Sequence, residues 1–348
     1  MDLHDKIPSI YHSLFPELLD IEFPEEQIAT CDACNLCRSA KSPYINTKCC
    51  AYHPHLANFL IGGLMSDDVE SLAVGKERIQ RQILARVGVT PYGIIPPVSY
   101  TLRQKEVESQ EFWSRPHELM EAQRCPYYDR GHCTVWKYRE NLCVTYFCSS
   151  IGGTAGKTFW KKVNKYLKMA EVSLAQYAML QLGWLPAKIK TDAVTTADFN
   201  LEDGQGNVNE SIYAALWGEW NGREAEFYKN CFEIVKTMDA STFKKIAGLS
   251  REILEAAIRD TQKDFQLNIL PEILLLNPDI VYEKVSEGNT RLILGNSSTE
   301  VGSLILPLIR GFNGKRKTVD VFGLGYNILL NMSELVEELC IKGMLIKV

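Results

Sequence analysis

The sequence predicts a mainly α-helical protein in three parts. An irregular, metal-stabilised, cysteine-rich domain covers 1–153, a helical middle covers 154–265, and a small winged-helix-like α+β module covers 266–348. Three observations lead there. Nine of the eleven cysteines fall between 31 and 148 in two groups. Apolar residues recur near the 3.6-residue period over 158–182. The last eighty residues or so alternate short extended runs with helical ones around glycine turns.

Taken in order, 1–30 reads as a short helical lead-in ending at Pro24, followed by a loop-like first cysteine group. Leu56, Phe59, Leu60 and Leu64 are spaced for a buried helix over 54–65, and a second helix covers 76–86. Pro91, Pro96 and Pro97 keep 87–97 extended, and 106–123 returns to helix. Phe159, Val163, Tyr166, Leu167, Ala170, Leu174, Tyr177, Ala178 and Leu182 mark the clearest helix of the chain. The polar, glycine-bearing stretch 198–209 is a loop, with helices over 209–238 and 241–262. Near the C-terminus, 280–285 and 291–294 flank Gly288 and Asn289 as a hairpin. Ser298, Thr299 and Glu300 then suggest a helix through Leu308. A turn at Asn313-Gly314-Lys315, a helix over 333–340 and a terminal strand over 344–348 complete the module.

Bulk composition narrows the function classes. A chain of 348 residues, 46% hydrophobic and 23% charged, is long enough for two or three compact domains and is neither disordered nor collagen-like. A net charge of -5 gives no sign of nucleic-acid binding, and the lysines from Lys157 to Lys168 read as a solvated helix face. Early acids and the prolines Pro8 and Pro16 do not fit a secretory signal, and no apolar run reaches the roughly 18 residues of a membrane span. The expectation is a cytoplasmic protein with no nucleic-acid or membrane partner. In a reducing compartment, clustered cysteines point to metal or redox chemistry in preference to disulfides.

The candidate metal ligands are Cys31, Cys34, Cys37, Cys49 and Cys50 in the first group and Cys125, Cys133, Cys143 and Cys148 in the second. Four thiolates suit either a structural zinc ion or a 4Fe-4S iron-sulfur cluster, both tetrahedral arrangements of soft ligands. The C-x2-C-x2-C cadence of Cys31, Cys34 and Cys37 leans toward iron, whereas zinc ribbons use separated C-x2-C pairs. Adjacent Cys49 and Cys50 do not easily ligate one zinc together. Nine thiols exceed one four-ligand site, so either there are two centres or several cysteines are bystanders.

These residues also carry a resemblance. CDACNLC followed by KCC, then CPYYDRGHCTVWKYRENLCVTYFC, resembles the cysteine-cluster family of zinc- or iron-chelating domains known for a CxxCxxCC signature. Cys125, Gly131, Cys133, Trp136, Arg139, Cys143 and Cys148 fall in order on that family's second block. Two departures stand out: eleven residues separate Cys37 from Cys49, and the family's Arg-Pro pair is Arg139-Glu140. The likeness covers about 31–150. It implies a metal-chelating domain; the family includes flagellin lysine N-methylase, so an enzyme that modifies a protein or peptide is one reading the resemblance offers, though the likeness transfers no reaction by itself. A zinc-stabilised scaffold or binding protein with no chemistry at the metal is the alternative.

Other candidates are weaker. His53, His55 and His132 sit near the cysteines as ligands or as hydrogen-bond donors to metal-bound sulfur. Cys231 and Cys340 lie in apolar helical settings and read as core thiols. IGGTAGKTFW imitates a phosphate loop but is one residue short, so it reads as a glycine hinge into the long helix whose N-terminus could meet an anion. VDVFGLG at 319–325 has too little chain after it for a methyl-donor-binding sheet. The pairs Asp67-Asp68 and Glu25-Glu26 read as solvated, and the aromatics around the second group as a shield for the site. GFNGKRKTVDV before a helix, then IKGMLIKV, loosely resembles small winged-helix domains that recognise peptides.

Overall fold

The structure, a computed structural model, describes residues 3–26, 42–110, 115–146, 150–184, 201–302, 305–318, 320–321 and 332–348. Cys31, Cys34, Cys37 and Cys148, and most of 319–325, lie outside the described residues. The fold is mainly α-helical with small antiparallel sheets.

Two 3-10 turns and a short helix, α1 (Pro16–Leu19), form the lead-in. Strand β1 (Leu56–Ala57) comes directly before helix α2 (Asn58–Ser66), so the apolar run expected to be all helix starts extended. The reason is pairing. β1 lies against β3 (Gly93–Ile94), which turns back on β2 (Val89–Thr90). Asn58, fully buried, donates to the carbonyls of Pro91 (2.9 Å) and Ala175 (3.1 Å) and pins the start of α2. Helix α3 (Ala73–Ala85) precedes this small sheet. Where one helix was expected over 106–123, α4 (Val98–Glu108) stops at Ser109 and α5 (His117–Ala122) starts anew after Pro116. Proline suits the first residues of a helix and opposes its interior. The second cysteine group follows in a hairpin of β4 (Tyr128–Asp129) and β5 (His132–Cys133), then α6 (Asn141–Thr145).

Helix α7 (Gly153–Gln181) is the spine of the molecule. Its buried residues Phe159, Val163, Tyr166, Leu167, Ala170, Leu174 and Ala178 are those whose spacing predicted it. Each large side chain removed from water there stabilises the fold by about 1.5–3 kcal/mol before entropy is counted. Helices α8 (Glu210–Trp217) and α9 (Glu224–Lys236) replace the single helix expected over 209–238, because Gly218 leaves helical geometry at φ 54. Helix α10 (Ala240–Leu267) runs along α7, and α9 lies on α2. A Cβ on Gly62 of α2 would lie 1.8 Å from the Tyr228 carbonyl oxygen of α9, so only glycine allows that approach.

The C-terminal part has its own core. Buried residues from 3 to 265 form one apolar cluster, and those from 270 to 345 form a second. Strands β6 (Ile273–Leu276), β7 (Val281–Lys284), β8 (Asn289–Leu294) and β9 (Ser297–Gly302) lead to a short helix, α11 (Leu306–Ile309). After it come β10 (Asn313–Lys317), α12 (Met332–Ile341) and β11 (Leu345–Lys347), giving two antiparallel sheets in the orders β10-β6-β11 and β7-β8-β9. The hairpin around Gly288 is present. The helix expected from Ser298 is a strand instead, since Thr299 and Val301 alternate inward and Leu294 pairs with Ser297 across the Gly295 turn. No helix among the described residues is long and apolar enough to cross a membrane.

Candidate functional site

The two cysteine groups meet through the backbone. The N–H of Cys125 donates to the carbonyl of Cys50 at 2.7 Å. Cys125 opens the β4–β5 hairpin, whose turn residues Arg130 and Gly131 both have positive φ, as a tight two-residue hairpin demands. Arg78 of α3 fixes that hairpin. Its guanidinium donates to the carbonyls of Pro126 (3.0 Å) and Tyr128 (2.6 Å) and pairs with Asp129 (2.6 Å). From the other side, Lys48, itself held at φ 56, reaches the Gly131 carbonyl with its ammonium at 3.3 Å.

Five of the nine candidate ligands are gathered by these contacts. Cys50 feels the charges of Cys49, Cys125 and Cys133, and Cys143 those of Glu140, Cys125, Cys133 and Cys49. No disulfide joins the described cysteines. A hydrogen bond from Cys50 draws the Cys49 thiol below its usual range, and Cys50, giving that bond and buried, is pushed up. Burial pushes Cys125 up to about 12, against the N–H of Tyr127, which donates to its sulfur at 3.4 Å. Among the described residues no three His, Cys, Asp or Glu side chains form a ready-made metal set.

The described flanks of the other four cysteines are tied together. Glu26, five residues before Cys31, accepts from the Ser150 hydroxyl (2.5 Å), the Ile151 N–H (2.9 Å) and the Trp160 indole N–H (2.9 Å). Ser150 follows Cys148 by two residues. Expected to be solvated, Glu26 is 1% exposed, because the start of α7 folds back over it. Gly152 and Gly156 permit that closure: a Cβ would lie 2.2 Å from the Phe265 ring or 1.9 Å from the Ser150 hydroxyl. The N-terminus of α7 is already taken by the chain's own anion. Glu337 of α12 accepts from the Thr154 N–H (3.1 Å) and hydroxyl (2.7 Å).

The remaining sequence candidates divide. His53 is buried between the rings of Tyr100 and Tyr127, and burial pulls its pKa down to about 4. His132 is exposed on β5. Cys231 lies in the larger core, and Cys340 packs against the smaller one. Of the aromatics, Tyr127 and Tyr138 are buried, whereas Trp136 is 54% exposed with the Arg139 guanidinium 3.8 Å from its ring centre. Asp67 accepts from Lys137 (2.5 Å) and the Tyr138 hydroxyl (2.8 Å) and is not simply solvated.

A cavity of about 300 Å³ adjoins the thiols, between the start of β1, α6 and α7. Sequence reasoning missed the two carboxyls that face it. Glu140 is 2% exposed and lies 4.0 Å from the Cys143 sulfur; burial raises its pKa to about 7 against hydrogen bonds from the Tyr52 hydroxyl and the His55 N–H. Glu171, 6% exposed, is raised by burial and by Glu140, while Asn141 and the Tyr11 hydroxyl (3.3 Å) donate to it. Two signals were available for them. Glu171 falls between Leu167 and Leu174 on the apolar face of α7, and Glu140 stands where the resembled family has proline. Fold and site together describe a mainly helical protein with a thiol-rich junction beside a small acidic cavity. Neither a family model, a curated protein nor a solved structure matches this chain.

Proposed function

We propose that the two cysteine groups build a thiolate metal centre, an iron-sulfur cluster of the 4Fe-4S type, in a cytoplasmic protein of the cysteine-cluster kind. The observation that carries the reading is the Cys125 to Cys50 backbone bond, which joins groups far apart in sequence at one point. The donor set suits such a group. Thiolates are soft ligands, and an N–H directed at sulfur, as from Tyr127 to Cys125, is the outer contact that stabilises cluster sulfur. The cluster's four ligands are drawn from Cys31, Cys34, Cys37, Cys49, Cys50, Cys125, Cys133, Cys143 and Cys148, and the Glu26 tie joins the chain before Cys31 to the chain after Cys148. When bound, such a cluster supplies one-electron chemistry.

On this reading the chain is an enzyme acting on a protein or peptide, and its C-terminal winged-helix-like module meets the substrate. Support for the latter is β7, an edge strand with every side chain exposed, of the kind that accepts an added peptide strand. Protein prepared without oxygen is expected to be brown, with broad visible absorption that bleaches on reduction and roughly four iron atoms per chain. A colourless preparation carrying zinc would replace this reading with the zinc-stabilised scaffold. Loss of all metal without loss of structure would overturn both.

A further inference from the structure

We propose that the cavity beside the thiols binds a compact zwitterion of amino-acid type, its ammonium end inward and its anionic end at the mouth. The inference is independent of which metal the cysteines hold. At about 300 Å³ the space is at the small end of ligand pockets and suits a small metabolite. Its inner wall is acidic. Glu140 and Glu171 are both buried there, and neither forms an ion pair with a lysine or arginine among the described residues. An ammonium group entering the cavity would supply the ion-pair partner that neither buried carboxyl has among the described residues.

The mouth has the opposite sign. Lys168 is exposed at the rim, and its charge acts on both Glu140 and His55. The His55 ring lines the same space and makes no hydrogen bond among the described residues, so it is available to a polar ligand. Between the two ends, Leu56, Ile95, Val172 and Ala175 provide apolar wall for a hydrocarbon body. Such a dipolar cavity disfavours a plain anion, which would face two carboxyls. A plain amine would leave the Lys168 end unanswered.

Isothermal titration of the full chain with ε-aminocaproate, hexylamine and caproate tests this without any activity assay. The expected order of affinity is ε-aminocaproate, then hexylamine, with caproate weakest. Glu171→Gln should weaken both amine-bearing probes by at least about tenfold, the loss expected for a charge-assisted hydrogen bond. Lys168→Glu, a surface change, should weaken ε-aminocaproate and spare hexylamine. Caproate binding as tightly as ε-aminocaproate would overturn the proposal, as would failure of both amines to bind. Should Glu171→Gln not fold, the Lys168→Glu preference still decides: an unchanged ratio of the two amines refutes the zwitterion.

Discussion

Replacing Glu26 by alanine tests how the chain around the cysteines is closed. Its carboxylate accepts three hydrogen bonds, from Ser150, Ile151 and Trp160, and is 1% exposed. The Ser150 hydroxyl can rotate to another acceptor, but the buried Trp160 indole N–H and the half-buried Ile151 N–H would be left unpaired, at about 1–3 kcal/mol each with the larger share at Trp160. Against this stands the cost of burying the carboxylate itself, visible as the upward push on its pKa. The net expectation is a loss of about 3 kcal/mol. With a urea slope of about 3 kcal/mol per molar, the unfolding midpoint read by tryptophan fluorescence should fall by roughly 1 M. Glu26→Gln, which keeps one acceptor, should lose about half as much. Metal content should fall in both. A Glu26→Ala protein with an unchanged midpoint would show that the network carries no stability and that the reasoning is mistaken.

Three further outcomes follow from named contacts. Cys133→Ser or Cys143→Ser should lower metal content and melting temperature together, because ligands of a structural centre are part of the folding free energy; normal folding with full metal would remove either residue from the ligand set. Gly62→Ala forces a Cβ against the Tyr228 carbonyl and should destabilise by about 3 kcal/mol in thermal unfolding, whereas a neutral result would place α2 farther from α9 than described. His53 has a folded-state pKa of about 4 against 6.5 when unfolded, so the unfolded chain binds more protons between those values. Stability should therefore be intact above about pH 6.5 and fall by about 3 kcal/mol as pH drops toward 4. His53→Gln should flatten that acid limb of a stability-against-pH curve; an identical slope in the variant would assign the proton uptake elsewhere.

What could be read from the sequence follows the range of the forces involved. Helix α7 was legible because a 3.6-residue apolar period is local and long. Strand β9 was not, since Ser298-Thr299-Glu300 imitates a helix start while the inward alternation of Thr299 and Val301 only gains meaning once β8 lies alongside. The break at Gly218 was visible as a glycine, but its φ of 54 is set by how α8 and α9 pack. At the site, residue types revealed the thiols. The Cys125 to Cys50 contact, the burial of Glu26 and the cavity facing Glu140 and Glu171 depend on long-range closure, which no local spacing encodes. Glu171 is the instructive case. Its place on the apolar face of α7 could have been read as a buried carboxyl needing partners, and Asn141 and Tyr11 are those partners.

X-ray absorption at the edge of whichever metal the anaerobically prepared chain retains tests the central claim most directly. A thiolate iron-sulfur centre predicts an iron edge and a first shell of sulfur alone, with iron neighbours behind it. A zinc edge with a sulfur shell at about 2.3 Å would keep the thiolate site and remove the cluster. A first shell of nitrogen or oxygen would contradict the assignment of the cysteines as ligands.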